Sequence, residues 1–319
     1  MKKAKKLISV LLILSMLLPL CFTANAATVT QLPFPDSAFF EIGDYSIHYR
    51  FRPSAASVHK GRFVFLHGFL GSTVSWKPLS DRLIQEGYDC LLVDLPSFGY
   101  STRETAQVHP IPREEIVASL MQELAPAEKW YVAGHSMGTT VAMNIACRYP
   151  ELVEALLLYA ATSDTKTKFT NLPDPVLQVY GGVYNVIFKM IITLASNPVF
   201  GKIIMRNALY DANRDFETRQ KYLEPLKLEN TGMGILFMRK RSTPLDFEQL
   251  KQLEMPVMLC VASDDEFVPN DSENAIRLRN SLPAHTVYYV MPDSTHSLIE
   301  SKADETFAVT FDFINGILH

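Results

Sequence analysis

The pentapeptide Gly134-His135-Ser136-Met137-Gly138 has the plainest capacity for chemistry in this chain of 319 residues. It follows Lys129-Trp130-Tyr131-Val132-Ala133, an apolar β-favouring run, and precedes Thr139-Thr140-Val141-Ala142, which is helical in type. The pattern predicts strand, sharp turn, helix. Glycines on either side of the serine let strand and helix pass close together while Ser136 sits at a strained tip with its hydroxyl exposed. A serine hydroxyl is a weak nucleophile, so such a turn calls for a base, an acid to orient that base, and N–H donors for an oxyanion. Candidates exist: His67, Asp264 or Asp265, and His296 each come directly after an apolar run.

The elements that must position these residues follow from the hydrophobic pattern. Phe39 to Phe51 alternates around Gly43-Asp44 as a β-hairpin. Short, continuously apolar runs at Arg62–Leu66, Cys90–Asp94, Val153–Tyr159, Pro256–Ala262 and Thr286–Met291 have the character of strands buried on both faces of a parallel sheet. Helical spacing fills the gaps: Trp76–Gln85 closed by Gly87, Arg113–Leu124, a helix to Arg148 stopped by Pro150, a helix to Leu282, and Ala303–Ile314. This alternation implies an α/β fold with a doubly wound, mostly parallel sheet and helices on both faces. Sites in such sheets form at the carboxyl ends of strands, where the candidate residues fall. The exception is residues 162–246, rich in helical periodicity and large apolar groups such as Tyr180, Tyr184, Phe188, Ile203, Ile204 and Tyr210. An inserted helical cap is expected there, leaving residues 27–161 and 247–319 as the core.

Residues 1–26 stand apart. Lys2, Lys3, Lys5 and Lys6 form a basic start, Leu7–Phe22 an apolar stretch, and Ala24-Asn25-Ala26 a small-residue cleavage signal. They predict a secretory signal peptide cut after Ala26 and a secreted or extracytoplasmic protein; an uncleaved leader would act as a membrane anchor. Without the four leader lysines the chain has 26 basic against 34 acidic side chains, a balance that argues against nucleic acid as a partner. Cys90, Cys147 and Cys260 sit in apolar patterns and read as buried hydrophobes, with one bridge between a pair left open. No Cys-x-x-Cys or His-Glu-x-x-His spacing supports a zinc site.

Taken together, the pentapeptide, His67-Gly68, Asp265-Glu266-Phe267-Val268-Pro269 and the late His296 resemble the α/β-hydrolase superfamily, in its capped esterase and lipase-like branch, over roughly residues 40 to 318. The order serine, aspartate, histidine is the one that fold uses. The resemblance implies Ser136 as nucleophile, His296 as base and Asp265 as the acid that holds the imidazole, with Asp264 and, more distantly, Asp164 as alternative acids. It implies an oxyanion hole from the backbone N–H groups of Phe69 and Met137. Ser97, Ser263 and Thr295 stand where the family often has glycine. A serine at 136 disfavours halide-releasing and epoxide-opening relatives, which need aspartate there. Acyl transfer without metal or organic cofactor is expected, on a hydrophobic small-molecule ester: a secreted carboxylesterase or lipase. Membrane contact would come only through a retained leader or a lipid substrate. Two other readings stand beside it. One is a different serine-hydrolase reaction: cleavage of a C–C bond, amide or lactone, or perhydrolysis. The other is a binding protein on the same scaffold. His48, His59, His109 and His285 are expected at the surface or at strand ends, His67 and His135 in packing and loop shaping, and Asp94 in ordering its loop.

Overall fold

The computed structural model describes residues 32–163, 171–198, 201 and 216–318; the leader, Asp164, Ile203, Ile204 and Tyr210 lie outside that range. Strands β1 (Ser37–Ile42) and β2 (Tyr45–Arg52) form the hairpin expected around Gly43-Asp44. Then β3 (Gly61–Leu66), helix α1 (Lys77–Glu86), β4 (Tyr88–Val93), α2 (Arg113–Leu124), β5 (Trp130–His135), α3 (Met137–Arg148) and β6 (Val153–Tyr159) alternate. After β6 the described chain is helical: α4 (Asp174–Ala195), α5 (Phe216–Leu226), α6 (Thr231–Lys240) and the short α7 (Phe247–Leu250). Alternation resumes with β7 (Val257–Ala262), α8 (Glu273–Asn280), β8 (Val287–Met291), the single-turn α9 (Leu298–Ser301) and α10 (Ala303–Leu318).

The eight strands form one sheet in the order β1-β2-β4-β3-β5-β6-β7-β8. The β1–β2 and β2–β4 pairs are antiparallel and every other pair is parallel. Side chains alternate across each strand, so one sequence run supplies two cores. On β3, Val64 and Leu66 join the core under α2 and α3, whereas Phe63 and Phe65 join the core under α1 and α10. The second core is aromatic at its centre, with Phe63 on Tyr131 at 4.8 Å and Phe65 on Trp76 at 4.9 Å between centroids. Burying each such side chain contributes about 1.5–3 kcal/mol, which explains why these runs read as continuously apolar. Cys90, Cys147 and Cys260 are all buried and unbridged.

Within the helical stretch, α6 is an inner layer. Its residues from Thr231 to Met238 are all buried, with Gly234 against Ser97 of the core and Gly232 against Asn185 of α4. Helix α4 lies outside it and turns Leu177, Gly181, Phe188 and Ile192 inward. Its outer face exposes Val179, Val183, Val186 and Met190, an apolar surface unusual for a helix facing water. Arg103 ties these helices to the core: it donates to Thr231 Oγ1 (3.0 Å) and the Pro225 carbonyl (2.7 Å) on one side, and to the Phe98, Gly99 and Ser101 carbonyls on the other.

One expectation is corrected here. His48 is completely buried, whereas His59, His109 and His285 are exposed. The antiparallel register of β2 against β4 lays His48 beside the end of β4, where its Nδ1 meets Asp94 Oδ2 at 2.7 Å and its Nε2 meets Ser37 Oγ at 2.7 Å.

Candidate active site

Ser136 occupies the turn between β5 and α3. Its φ of 49° and ψ of −119° lie where side-chain-bearing residues are strained, by about 1–3 kcal/mol. The surroundings hold it there. Its N–H donates to the Tyr159 carbonyl (2.9 Å) on β6, and its own carbonyl accepts from the Thr139 N–H (2.9 Å) and hydroxyl (2.5 Å). Gly138 allows the close approach: a Cβ there would overlap the Leu66 carbonyl oxygen at the end of β3.

Two other strand ends complete the arrangement. The loop after β8 delivers His296, whose Nε2 lies 2.8 Å from Ser136 Oγ. The loop after β7 delivers Asp265, whose carboxylate oxygens lie 2.8 and 3.0 Å from His296 Nδ1. With Nδ1–H donating to the carboxylate, Nε2 is left to accept the serine proton. Asp265 and His296 are buried, at 7% and 3% exposure. Burial pushes the Asp265 carboxyl pKa up, but the His296 hydrogen bonds and charge and the N–H groups of Val268 and Phe267 outweigh it and hold it below the ordinary carboxylate value. Asp264 turns the other way: it is exposed and accepts from the Ser263 hydroxyl at 2.7 Å. Of the two adjacent carboxylates, the structure therefore brings Asp265 to the imidazole.

The loop after β3 closes the other side. A Cβ at Gly68 would sit 2.8 Å from His135 Nδ1 and 3.2 Å from Ser136 Cβ, so only glycine lets this loop touch the serine turn. His67 fixes the loop: its Nδ1–H donates to the Gly68 carbonyl (2.7 Å) and its Nε2 accepts from the Leu95 N–H (3.0 Å). Complete burial holds its pKa below the ordinary histidine value. Phe69 follows directly, and Met137 is the first residue of α3, where helical geometry leaves the N–H without an intrahelical acceptor. Neither amide has a hydrogen-bond partner among the described residues. Behind His296, His135 Nε2–H donates to the His296 carbonyl at 2.8 Å. Burial and the neighbouring His296 push its pKa down to about 3, so His135 stays neutral and serves as a fixed donor.

Two residues at this site have no counterpart among the sequence candidates. Phe267, 56% exposed, tilts over the His296 ring at 5.2 Å. Arg239, on α6, places its guanidinium 5.3 Å from the Phe69 ring centroid. The position of Phe267 two residues after Asp265 was the available signal; nothing in the sequence pairs Arg239 with a residue 170 positions earlier.

A serine on a strained strand-to-helix turn, a histidine and a carboxylate after later strands, and a mostly parallel sheet beneath them define an α/β-hydrolase architecture. The chain belongs to this family, since residues 61–303 match the family described as alpha/beta hydrolase fold. It is 26% identical over 254 residues to the uncharacterized hydrolase YugF of Bacillus subtilis, a match covering 79% of this chain and 89% of that protein. It is 24% identical over 263 residues to a 2-hydroxy-6-oxononadienedioate/2-hydroxy-6-oxononatrienedioate hydrolase of Klebsiella pneumoniae, covering 80% and 87%. A thermophilic esterase from Thermogutta terrifontis superimposes with a TM-score of 0.62 at 18% identity, covering 85% of this chain and 94% of that one, a likeness of fold. The protein is a hydrolase.

Proposed function

We propose that this hydrolase cleaves carboxylic esters with an apolar acyl or alcohol group through Ser136, His296 and Asp265. The observation that carries the reading is the continuous hydrogen-bonded path from Ser136 Oγ through the His296 ring to Asp265. Ser136 Oγ attacks the ester carbonyl as His296 Nε2 takes its proton; the alcohol leaves with that proton, and water activated by the same nitrogen then releases the acid from the acyl-enzyme. The Phe69 and Met137 amides hold the oxyanion in both steps, and loss of one such donor typically costs ~100-fold or more. Residues 162–246 act as the cap over this edge of the sheet. The outer face of α4 suits a substrate delivered from a lipid phase. Residues 1–26 are proposed to direct export and to be removed after Ala26.

A relative named for a 2-hydroxy-6-oxo dienedioate substrate supports a second reading, C–C bond hydrolysis, on the same residues. Turnover of p-nitrophenyl esters across acyl chain lengths, run beside fluorophosphonate labelling, separates the two. Ester cleavage with an optimum at one length, together with an adduct on Ser136, is the expected result. An adduct without turnover at any length would favour the C–C reaction, and no adduct at all would remove catalysis by Ser136.

A further inference from the structure

One cation packed against Phe69 has no role in the proposed reaction. Arg239 opens the run Arg239-Lys240-Arg241 at the C-terminal end of α6. Lys240 meets the Asp174 carboxylate and the Leu172 carbonyl (2.7 Å). Arg241 donates to the Thr105 carbonyl (2.8 Å) and lies by Glu104 and Asp174. Nearby, Arg103 is surrounded by oxygen acceptors and Arg113 is paired with Glu104. Arg239 alone in this wall has neither a carboxylate nor any hydrogen-bond acceptor among the described residues, although it is half-buried. Arg277 and Arg279 also lack carboxylate partners, but they are exposed on α8, where water satisfies them.

A guanidinium presents five donors in a planar fork, and those of Arg239 have no protein acceptor among the described residues and stay open to an incoming anion. Contact with one aromatic face leaves those donors unused. The ring in question belongs to Phe69, whose amide is the proposed oxyanion donor and whose neighbour Gly68 touches the Ser136 turn. The fork thus lies against the side chain of the residue whose backbone N–H is the proposed oxyanion donor. The carboxylates that meet the two cations after Arg239 in the chain are already matched: Glu104 by Arg113 and Asp174 by Lys240.

We propose that Arg239 binds a carboxylate carried by the substrate, so that the preferred esters are those whose acyl part ends in a free acid, such as monoesters of dicarboxylic acids. This inference rests on the ester-cleaving reading and names the substrate class of the same site. A carboxylate fits the fork through two parallel hydrogen bonds and balances one positive charge with one negative. A phosphate monoester would place nearly two negative charges opposite a single cation.

The test compares mono-p-nitrophenyl glutarate with the same compound capped as its methyl ester. The readout is the ratio of kcat/KM for acid over capped ester. In Arg239→Gln this ratio falls about tenfold or more, through KM, and Arg239→Lys recovers part of it. Arg277→Gln removes the same charge from an exposed helix and leaves the ratio within about twofold. Should Arg239→Gln fail to fold, the unmodified protein still decides: glutarate inhibits about tenfold more tightly than glutaramide. A ratio unmoved in Arg239→Gln, an equal fall in Arg277→Gln, or equal inhibition by glutarate and glutaramide overturns the proposal. Failure of the underlying ester reading looks different, since the capped ester would then also go unhydrolysed.

Discussion

Two hydrogen-bonded Ser–His–Asp paths run through this molecule, and their distances are nearly the same. Ser136, His296 and Asp265 are linked at 2.8 and 2.8 Å; Ser37, His48 and Asp94 at 2.7 and 2.7 Å. The second path is closed on every side. Ser37 Oγ already accepts the Phe34 N–H (3.0 Å), and Asp94 also binds the Thr73 and Tyr100 N–H groups at 2.6 and 2.9 Å. The three side chains tie the hairpin and the loops after β3 and β4 into one block. Around Ser136 the opposite holds: the backbone is strained, two neighbouring amides are unpartnered, and Phe267 stands exposed beside the imidazole. The same three side chains thus make a fastener in one place and a candidate site in the other. The difference lies in what surrounds the relay, not in the relay itself.

Paired substitutions can break that contrast. The largest expected effect is on turnover: Ser136→Ala lowers kcat by ~10⁴-fold or more and abolishes fluorophosphonate labelling. Ser37→Ala leaves labelling intact, and labelling lost in both variants would erase the distinction. Asp265→Asn lowers kcat by about 10⁴-fold, because a neutral amide no longer selects the tautomer that accepts the serine proton. Asp94→Asn acts on stability instead, by about 3–5 kcal/mol in denaturant titrations near neutral pH, since it leaves buried donors without their anion. Burial raises the Asp94 pKa, but His48, His67 and the Tyr100 N–H outweigh it and hold it below the ordinary value. A depressed carboxyl pKa stabilises the fold above the unfolded value, about 3.9, and that contribution is lost as pH falls through the folded one. The gap between Asp94→Asn and the parent protein should therefore narrow below about pH 4. A gap constant with pH would show that the Asp94 charge is not what fastens the block. The smallest effect is that of Ser37→Ala, about 1–2 kcal/mol from its hydrogen bonds to the His48 ring and the Phe34 N–H.

This contrast also marks what the sequence could disclose. The strands flanking Ser136 and the chain order of Ser136, Asp265 and His296 were legible because a parallel sheet buried on both faces leaves continuous apolar runs, each ending at one rim. The outward turn of Asp264 could not be read from composition, because adjacent residues of an extended loop point to opposite sides and the phase is set by the Asp265 contacts to Phe267, Val268 and His296. His48 was misplaced for a different reason. Its partners lie 11 residues before and 46 after it, and the β1–β2 and β2–β4 registers bring them together. Arg239 shows the same limit, as three consecutive cations look alike until packing assigns acids to two of them.

The positive φ at Ser136 has a consequence for anyone engineering this protein. Glycine would relax at that position, so a selection that rewards heat tolerance alone will tend to discard the hydroxyl. Variant libraries built for robustness need a parallel assay of turnover, or the hardiest clones will be inert.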